Sequence, residues 1–149
     1  MPKRCRRFAG LPAALRGIAT CTTAHTPFLG PGDVSPGAFV AAVGADNPDK
    51  NEIAPALMAK ARVVADVASQ CVQMGDLRAA VAVGVMAPGD IHAVLGDVLA
   101  GKAKGRVSEE DIYIFDSTGA AFQDAASTRV ACRRATQTGA GLRLNLAGL

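Results

Sequence analysis

The sequence predicts an α/β fold built on a parallel sheet. Short apolar, β-branched runs alternate with longer Ala/Leu/Met segments along the 149 residues, the pattern of strands joined by helical crossovers. The runs "FVAAVG" (Phe39 to Gly44), "RVVADV" (Arg62 to Val67) and "IYIFDS" (Ile112 to Ser117) lack clean polar alternation, as expected of strands covered on both faces. A hydrophobic content of 50% at this length suits one compact domain with a real core.

The elements follow in order. The basic cluster "KRCRR", Lys3 to Arg7, reads as a solvated terminus. "FAGLPAALRGIAT" is interrupted by Pro12 and Arg16 before an export-signal core develops. Ile18 to Thr22 is a fourth, weaker strand, and "FVAAVG" the first strong one. "EIAPALMAKA" (Glu52 to Ala61) reads as helix, "RVVADV" as strand, and a stretch near Gln70 to Val83 as helix again. In "GDIHAVLGDVLAG" (Gly89 to Gly101), Ile91, Val94, Leu95, Val98 and Leu99 fall at spacings of three and four, the buried stripe of one helix. "GKAKGR" reads as a flexible basic loop, "IYIFDS" as the last strand, and about Ala120 to Thr136 as a long helix before a loosely held tail.

Several chemistries are set aside. A net charge of +3 is too small to signal nucleic-acid binding. Cys5, Cys21, Cys71 and Cys132 have no CxxC spacing and no histidine nearby, so neither a metal site nor a disulfide framework is indicated. No apolar run approaches the ~18 residues of a membrane span, and the reading is a cytoplasmic protein. The sequence contains no GxGxxG, GxSxG or Walker phosphate loop. His25 lies in a polar loop, as a surface residue or a ligand contact; His92 reads as a surface or satisfied helix residue.

Open parallel sheets bind ligands beyond the carboxyl ends of their strands, where "TCTTAHTP", "GADNPDKNE" and "DSTG" fall. Asp46, beside Lys50, has two readings. It is an Asx turn into Asn47 and Pro48, or a carboxylate kept ionised by a cation and able to exchange a proton with substrate.

"TCTT" with "TPFL", "PGAFVAAVGADNPDKNEI", "ARVVADV", "LGDVLAGKAKGR" and "IYIFDSTGAAFQD" resemble, in order, the second half of the ornithine cyclodeaminase and mu-crystallin family, from about Ala13 to about Arg134. The resemblance implies part of a Rossmann-like, doubly wound sheet with flanking helices that lacks the first half of the dinucleotide-binding fold. Residues 13–136 are then the C-terminal part of an NAD(P)-binding domain, 1–12 an unmatched basic N-terminus, and 137–149 a tail. It implies NAD or NADP as cofactor and hydride chemistry at the α-carbon of an amino or imino acid. The reaction is ornithine to proline plus ammonia or, alternatively, reduction of a cyclic imine such as pyrroline-2-carboxylate; a non-catalytic vestigial domain is the third alternative. The family is homodimeric.

Carried over residue by residue, the resemblance makes Asp46 the catalytic acid/base. It makes Thr22, Val43, Gly44, Ala45, Asp46, Lys50 and Ser117 cofactor contacts, and Thr118 a substrate-lining position. Glu52 is expected at a helix start, where negative charge is favourable. The glycine-rich loop, the ribose-binding acid and the substrate-carboxylate residues of the family have no counterpart in this sequence. The chain is therefore expected to correspond to a C-terminal fragment, to lack the dimerisation domain, and to bind NAD weakly or not at all.

Overall fold

The computed structural model describes residues 16–142 and 144, so the basic cluster, Cys5 and the end of the tail lie outside the described residues. The chain forms two compact units, Met1–Gly119 and Ala120–Leu149.

The first unit holds a parallel sheet of five strands: β1 (Gly17–Thr20), β2 (Phe39–Ala42), β3 (Arg62–Ala65), β4 (Ala93–Val94) and β5 (Tyr113–Asp116), in the order β1-β2-β5-β3-β4. The α/β parallel fold expected from the alternation is the one found, and the weak candidate at Ile18 is a full member, paired with β2 from Gly17↔Phe39 to Thr20↔Ala42. The helices are α1 (Pro55–Lys60), α2 (Ala68–Cys71), α3 (Asp76–Ala82) and α4 (Leu95–Leu99). Pro55 opens α1 in the first helical turn, where its missing N–H costs nothing. Gly75 separates α2 from α3, so the single helix expected near 70–83 is two.

Register fixes which residues share a face. Val40, Ile114 and Val63 lie level across β2, β5 and β3, and Ala42, Asp116 and Ala65 form the next row on that side. These six are all buried, in a core completed by Leu57 and Met58 of α1, Cys71 of α2 and Leu77 and Ala80 of α3. The opposite face is different: Phe39 is 43% exposed, and Ala41, Val64 and Phe115 are half-buried. The absence of polar alternation was an unreliable sign of double coverage, because small and aromatic apolar residues occupy the less covered face.

Two further expectations are corrected. Ala93 and Val94 are drawn into the sheet by pairing with Val64 and Ala65, leaving only Leu95–Leu99 helical, and Leu99 is 79% exposed. The stripe at helical spacing was coincidental with an edge strand. The "GKAKGR" loop is pinned rather than free: His92 Nε2 lies 2.9 Å from the carbonyls of both Lys104 and Gly105, and the Arg106 guanidinium stacks 4.5 Å from the Tyr113 ring centroid. In the second unit, α5 (Ala121–Thr138) has no buried residue.

Candidate functional site

The three polar loops follow β1, β2 and β5, which are neighbours in the sheet. All strands run the same way, so the loops leave the sheet at one edge. The backbone continues the ladder past the strand ends: Val43 N–H donates to the Thr20 carbonyl at 3.0 Å and Ser117 N–H to the Ala42 carbonyl at 2.9 Å. This brings Thr22, Val43, Gly44, Ala45, Asp46 and Ser117 to a common edge.

The loop after β2 carries the ion pair. Lys50 Nζ lies 2.7 Å from Asp46 Oδ1, with the Asp46 side chain 55% exposed and that of Lys50 17% exposed. The hydrogen bond from the ammonium holds the Asp46 carboxyl below the usual carboxylate range. The Asx turn belongs to Asn47, whose Oδ1 accepts from the Asp49 N–H at 3.0 Å; Asp46 Oδ1 instead accepts from Lys50 Nζ and, at 3.3 Å, from Asn47 Nδ2. His25 Nδ1 lies 2.9 Å from the Asp49 carbonyl and so ties the β1 loop to this turn.

Beneath the loops lies a set of buried carboxylates, Glu52, Asp66, Asp76 and Asp116, to which the sequence assigned no linking role. Glu52, fully buried, precedes α1 by three positions and does not cap it. Its Oε2 accepts from the Thr20 hydroxyl at 2.6 Å and from the Gly44 N–H at 3.0 Å, and its Oε1 accepts from the Thr22 N–H at 2.6 Å. The helix-start role expected for Glu52 is thereby replaced by a link between the β1 and β2 loops. A Cβ on Gly44 would overlap all three carboxylate atoms of Glu52, which is the reason a glycine is needed there.

Asp66, at the end of β3, gathers the β5 loop. Its Oδ2 accepts from the Ser117 hydroxyl at 2.9 Å and from the Thr118 and Gly119 N–H groups at 3.0 Å each, while Oδ1 accepts from Val67 N–H at 2.6 Å and the Cys71 thiol at 3.2 Å. Ser117 and Thr118 are each 8% exposed, so the Ser117 hydroxyl is directed to Asp66. Burial and the adjoining Asp116 and Asp66 charges push the Cys71 thiol upward.

Asp116 and Asp76 continue inward. Asp116 accepts from the Asp76 and Leu77 N–H groups at 3.2 and 2.9 Å; desolvation nonetheless raises its carboxyl to about 7. Asp76 Oδ1 accepts from Asn51 Nδ2, Glu52 N–H and Ile53 N–H at 2.7, 2.7 and 3.0 Å. Its Oδ2 is buried without a partner, and burial raises this carboxyl too. Asp66 and Asp116 could have been suspected from sequence, since each is an ionisable residue closing an apolar run. Among the described residues no group of three His, Cys, Asp or Glu side chains could hold a metal ion, and no helix is long and apolar enough to cross a membrane.

A parallel sheet with polar loops gathered beyond adjacent strand ends defines an α/β domain of the open-sheet type, whose ligand crevices lie at that end. Residues 15–139 match the model of the ornithine cyclodeaminase/mu-crystallin family, and the chain belongs to that family. It is 37% identical over 127 residues to the alanine dehydrogenase of Archaeoglobus fulgidus, covering 85% of this chain and 39% of that protein. The Thermococcus litoralis Δ1-pyrroline-2-carboxylate reductase, solved with NADH and L-proline, superposes with a TM-score of 0.79 at 29% identity, over 86% of this chain and 40% of the other. A lysine cyclodeaminase structure that addresses recognition of L-lysine, L-ornithine and L-2,4-diaminobutyric acid superposes with a TM-score of 0.73 at 27% identity, over 87% of this chain and 37% of the other. The chain thus spans about two fifths of the length of the relatives it matches.

Proposed function

We propose that this chain supplies the catalytic-loop part of a site where hydride passes between NAD(P) and the nitrogen-bearing carbon of an amino or cyclic imino acid, with Asp46 as acid/base. The observation that carries this reading is the Asp46–Lys50 pair: an exposed carboxylate, kept in its proton-accepting form, on the middle of three loops that share one edge of the sheet.

The residues fit a nicotinamide cofactor in part. Val43 is 39% exposed and Thr22 is exposed, so the outer surface of both loops is open to a ligand. Val43 and Thr22 would hold the nicotinamide side, Gly44 and Ala45, both buried, would act by setting the path of the loop, and Lys50 would face its negative charge. Ser117, whose hydroxyl is taken by Asp66, would contribute through the position of its loop, and Thr118 would line the substrate side. The pyrophosphate ordinarily rests on a glycine-rich turn, and the sequence holds no GxGxxG segment. Bound NAD supplies the hydride acceptor and, once reduced, the donor. Asp46 takes one proton from the substrate ammonium as the carbon gives up hydride and an iminium forms, and returns it in the reverse direction.

Cyclodeamination of ornithine and reduction of pyrroline-2-carboxylate share this step. Relatives carrying dehydrogenase, imine reductase and cyclodeaminase names match the same stretch of chain, which supports the step more than any one substrate. Titration of the isotope-labelled chain with NAD, read by amide shifts, tests the reading. Shifts at Thr22, Val43, Ala45 and Asp46 in the millimolar range are expected. Silence of all four residues refutes it, and low-micromolar affinity with shifts at "GKAKGR" instead places the phosphate site elsewhere.

A further inference from the structure

We propose that the buried Glu52 carboxylate is a positioning residue that locks the Thr22 loop to the Asp46 loop, so that the two loops hold one register and loosen together. The functional consequence rests on the proposed NAD site; the lock itself does not.

Three contacts from two separate strand ends converge on this one group. Thr20, the last residue of β1, donates its hydroxyl; Thr22, two residues on, donates its N–H; and Gly44, two residues past β2, donates its N–H. Gly44 also lies flush against the carboxylate, where any Cβ would overlap it. Glu52 itself is fixed from below, because its own N–H is held by Asp76 Oδ1 at 2.7 Å and its carbonyl accepts from Phe28 and Leu29 N–H at 3.0 and 3.2 Å. The result is a rigid post with donors from both loops on it. Asp46 follows Gly44 by two residues, with the Asp46 N–H 3.2 Å from the Gly44 carbonyl, so the position of Gly44 passes directly to the candidate acid/base.

Glutamine cannot replace this group. A carboxylate is acceptor-only, whereas a primary amide has one acceptor oxygen and one donor nitrogen. With the amide nitrogen in the Oε1 position, the Thr22 N–H meets a donor. With the nitrogen at Oε2, the Thr20 hydroxyl can turn to accept, but the Gly44 N–H cannot. In either orientation one N–H loses its partner, and because both loops hang on this one group, the release of one loosens the other.

The test is amide hydrogen exchange on the full chain, wild type against Glu52→Gln, with an NAD titration of each. Thr22 and Gly44 are expected to exchange more than ~10-fold faster, the effect of a lost buried hydrogen bond, while Val63 and Val64 of β3 keep their wild-type rates. The NAD dissociation constant is expected to rise by a similar factor, a change that mere support of the fold would not give. Unchanged Thr22 and Gly44 rates, or a uniform rise that includes β3, overturns the proposal. Loosened loops with unchanged NAD affinity overturn its functional half. A wild-type chain with no NAD-dependent shifts in either loop refutes the proposed function, and exchange alone then decides the lock. If Glu52→Gln does not fold, Thr20→Val removes one donor and carries the same comparison: faster exchange at both amides supports the lock, and acceleration at neither or at one alone refutes it.

Discussion

Asp116 should make this protein less stable as pH rises toward neutrality. Its side chain is fully buried on the core face of β5, level with Ala42 and Ala65. Two backbone N–H groups hydrogen-bond to the carboxylate, yet desolvation and the neighbouring Asp76 and Asp66 charges outweigh them and raise the carboxyl from 3.8 to about 7. The folded chain therefore keeps a proton on Asp116 that the unfolded chain releases at ordinary carboxylate pH. Between those two values the native state binds more protons, so the contribution is complete below the lower one and lost as pH rises through the upper. At 1.36 kcal/mol per pH unit the interval corresponds to about 4 kcal/mol. Asp76, raised by burial as well, acts in the same direction. Urea unfolding at a series of pH values from about 4.5 to about 7.5 reads the slope. Asp116→Asn should flatten it by up to ~1.4 kcal/mol per pH unit over that range, whatever its effect on absolute stability. Equal slopes in wild type and variant would show that the Leu77 and Asp76 N–H groups stabilise the charged form enough to cancel its desolvation, and the reasoning would fail.

Gly44→Ala should lower stability by about 1 to 3 kcal/mol, the cost of forcing a methyl group into a filled space, read as a lower denaturation midpoint. Lys50→Ala should weaken NAD binding by about 1 to 3 kcal/mol, as for a lost charged hydrogen bond, with little change in unfolding. In a fusion supplying the upstream part of a relative such as the A. fulgidus alanine dehydrogenase, Asp46→Asn should reduce turnover at least ~10²-fold while NAD affinity, measured by calorimetry, stays near that of the unsubstituted fusion. Ser117→Ala should cost about 1 kcal/mol of stability and leave NAD affinity nearly unchanged, since the Ser117 hydroxyl is directed to Asp66.

The strong strands were legible because apolar runs closed by polar loops have few other fates in a chain of this class. Gly17–Thr20 was legible as well, despite its weak apolar character, because a parallel edge strand needs only one partner. The short β4 was not. Ala93 and Val94 carry a helical spacing with their neighbours, and only long-range pairing with Val64 and Ala65 overrides it. Asp46 and Lys50 stood out as a carboxylate and a cation four residues apart at a strand end, and the structure pairs them. The buried carboxylates were hidden for the opposite reason. Most of their partners are backbone N–H groups, and those leave no mark in sequence: Glu52 meets Thr22 and Gly44 at separations of thirty and eight residues, and Asp66 meets Thr118 across fifty-two.

That hidden layer follows from the geometry of a parallel sheet. Where strands end side by side, each departing loop turns away with N–H groups no longer paired in the ladder, and a loop that must stay near the sheet cannot leave them to water. A carboxylate offers two oxygens with several acceptor positions, so one side chain can serve two loops or several residues of one. The desolvation this requires is heavy, and the raised carboxyls of Asp76 and Asp116 record it. Converging donors oppose it, as three do on Glu52 and three on Asp76. The Asp46 carboxylate can therefore remain exposed to solvent while its loop is fixed from beneath. In the function proposed above, the carboxylates divide the work: the buried ones would set the positions of the loops, which would leave the proton chemistry to Asp46.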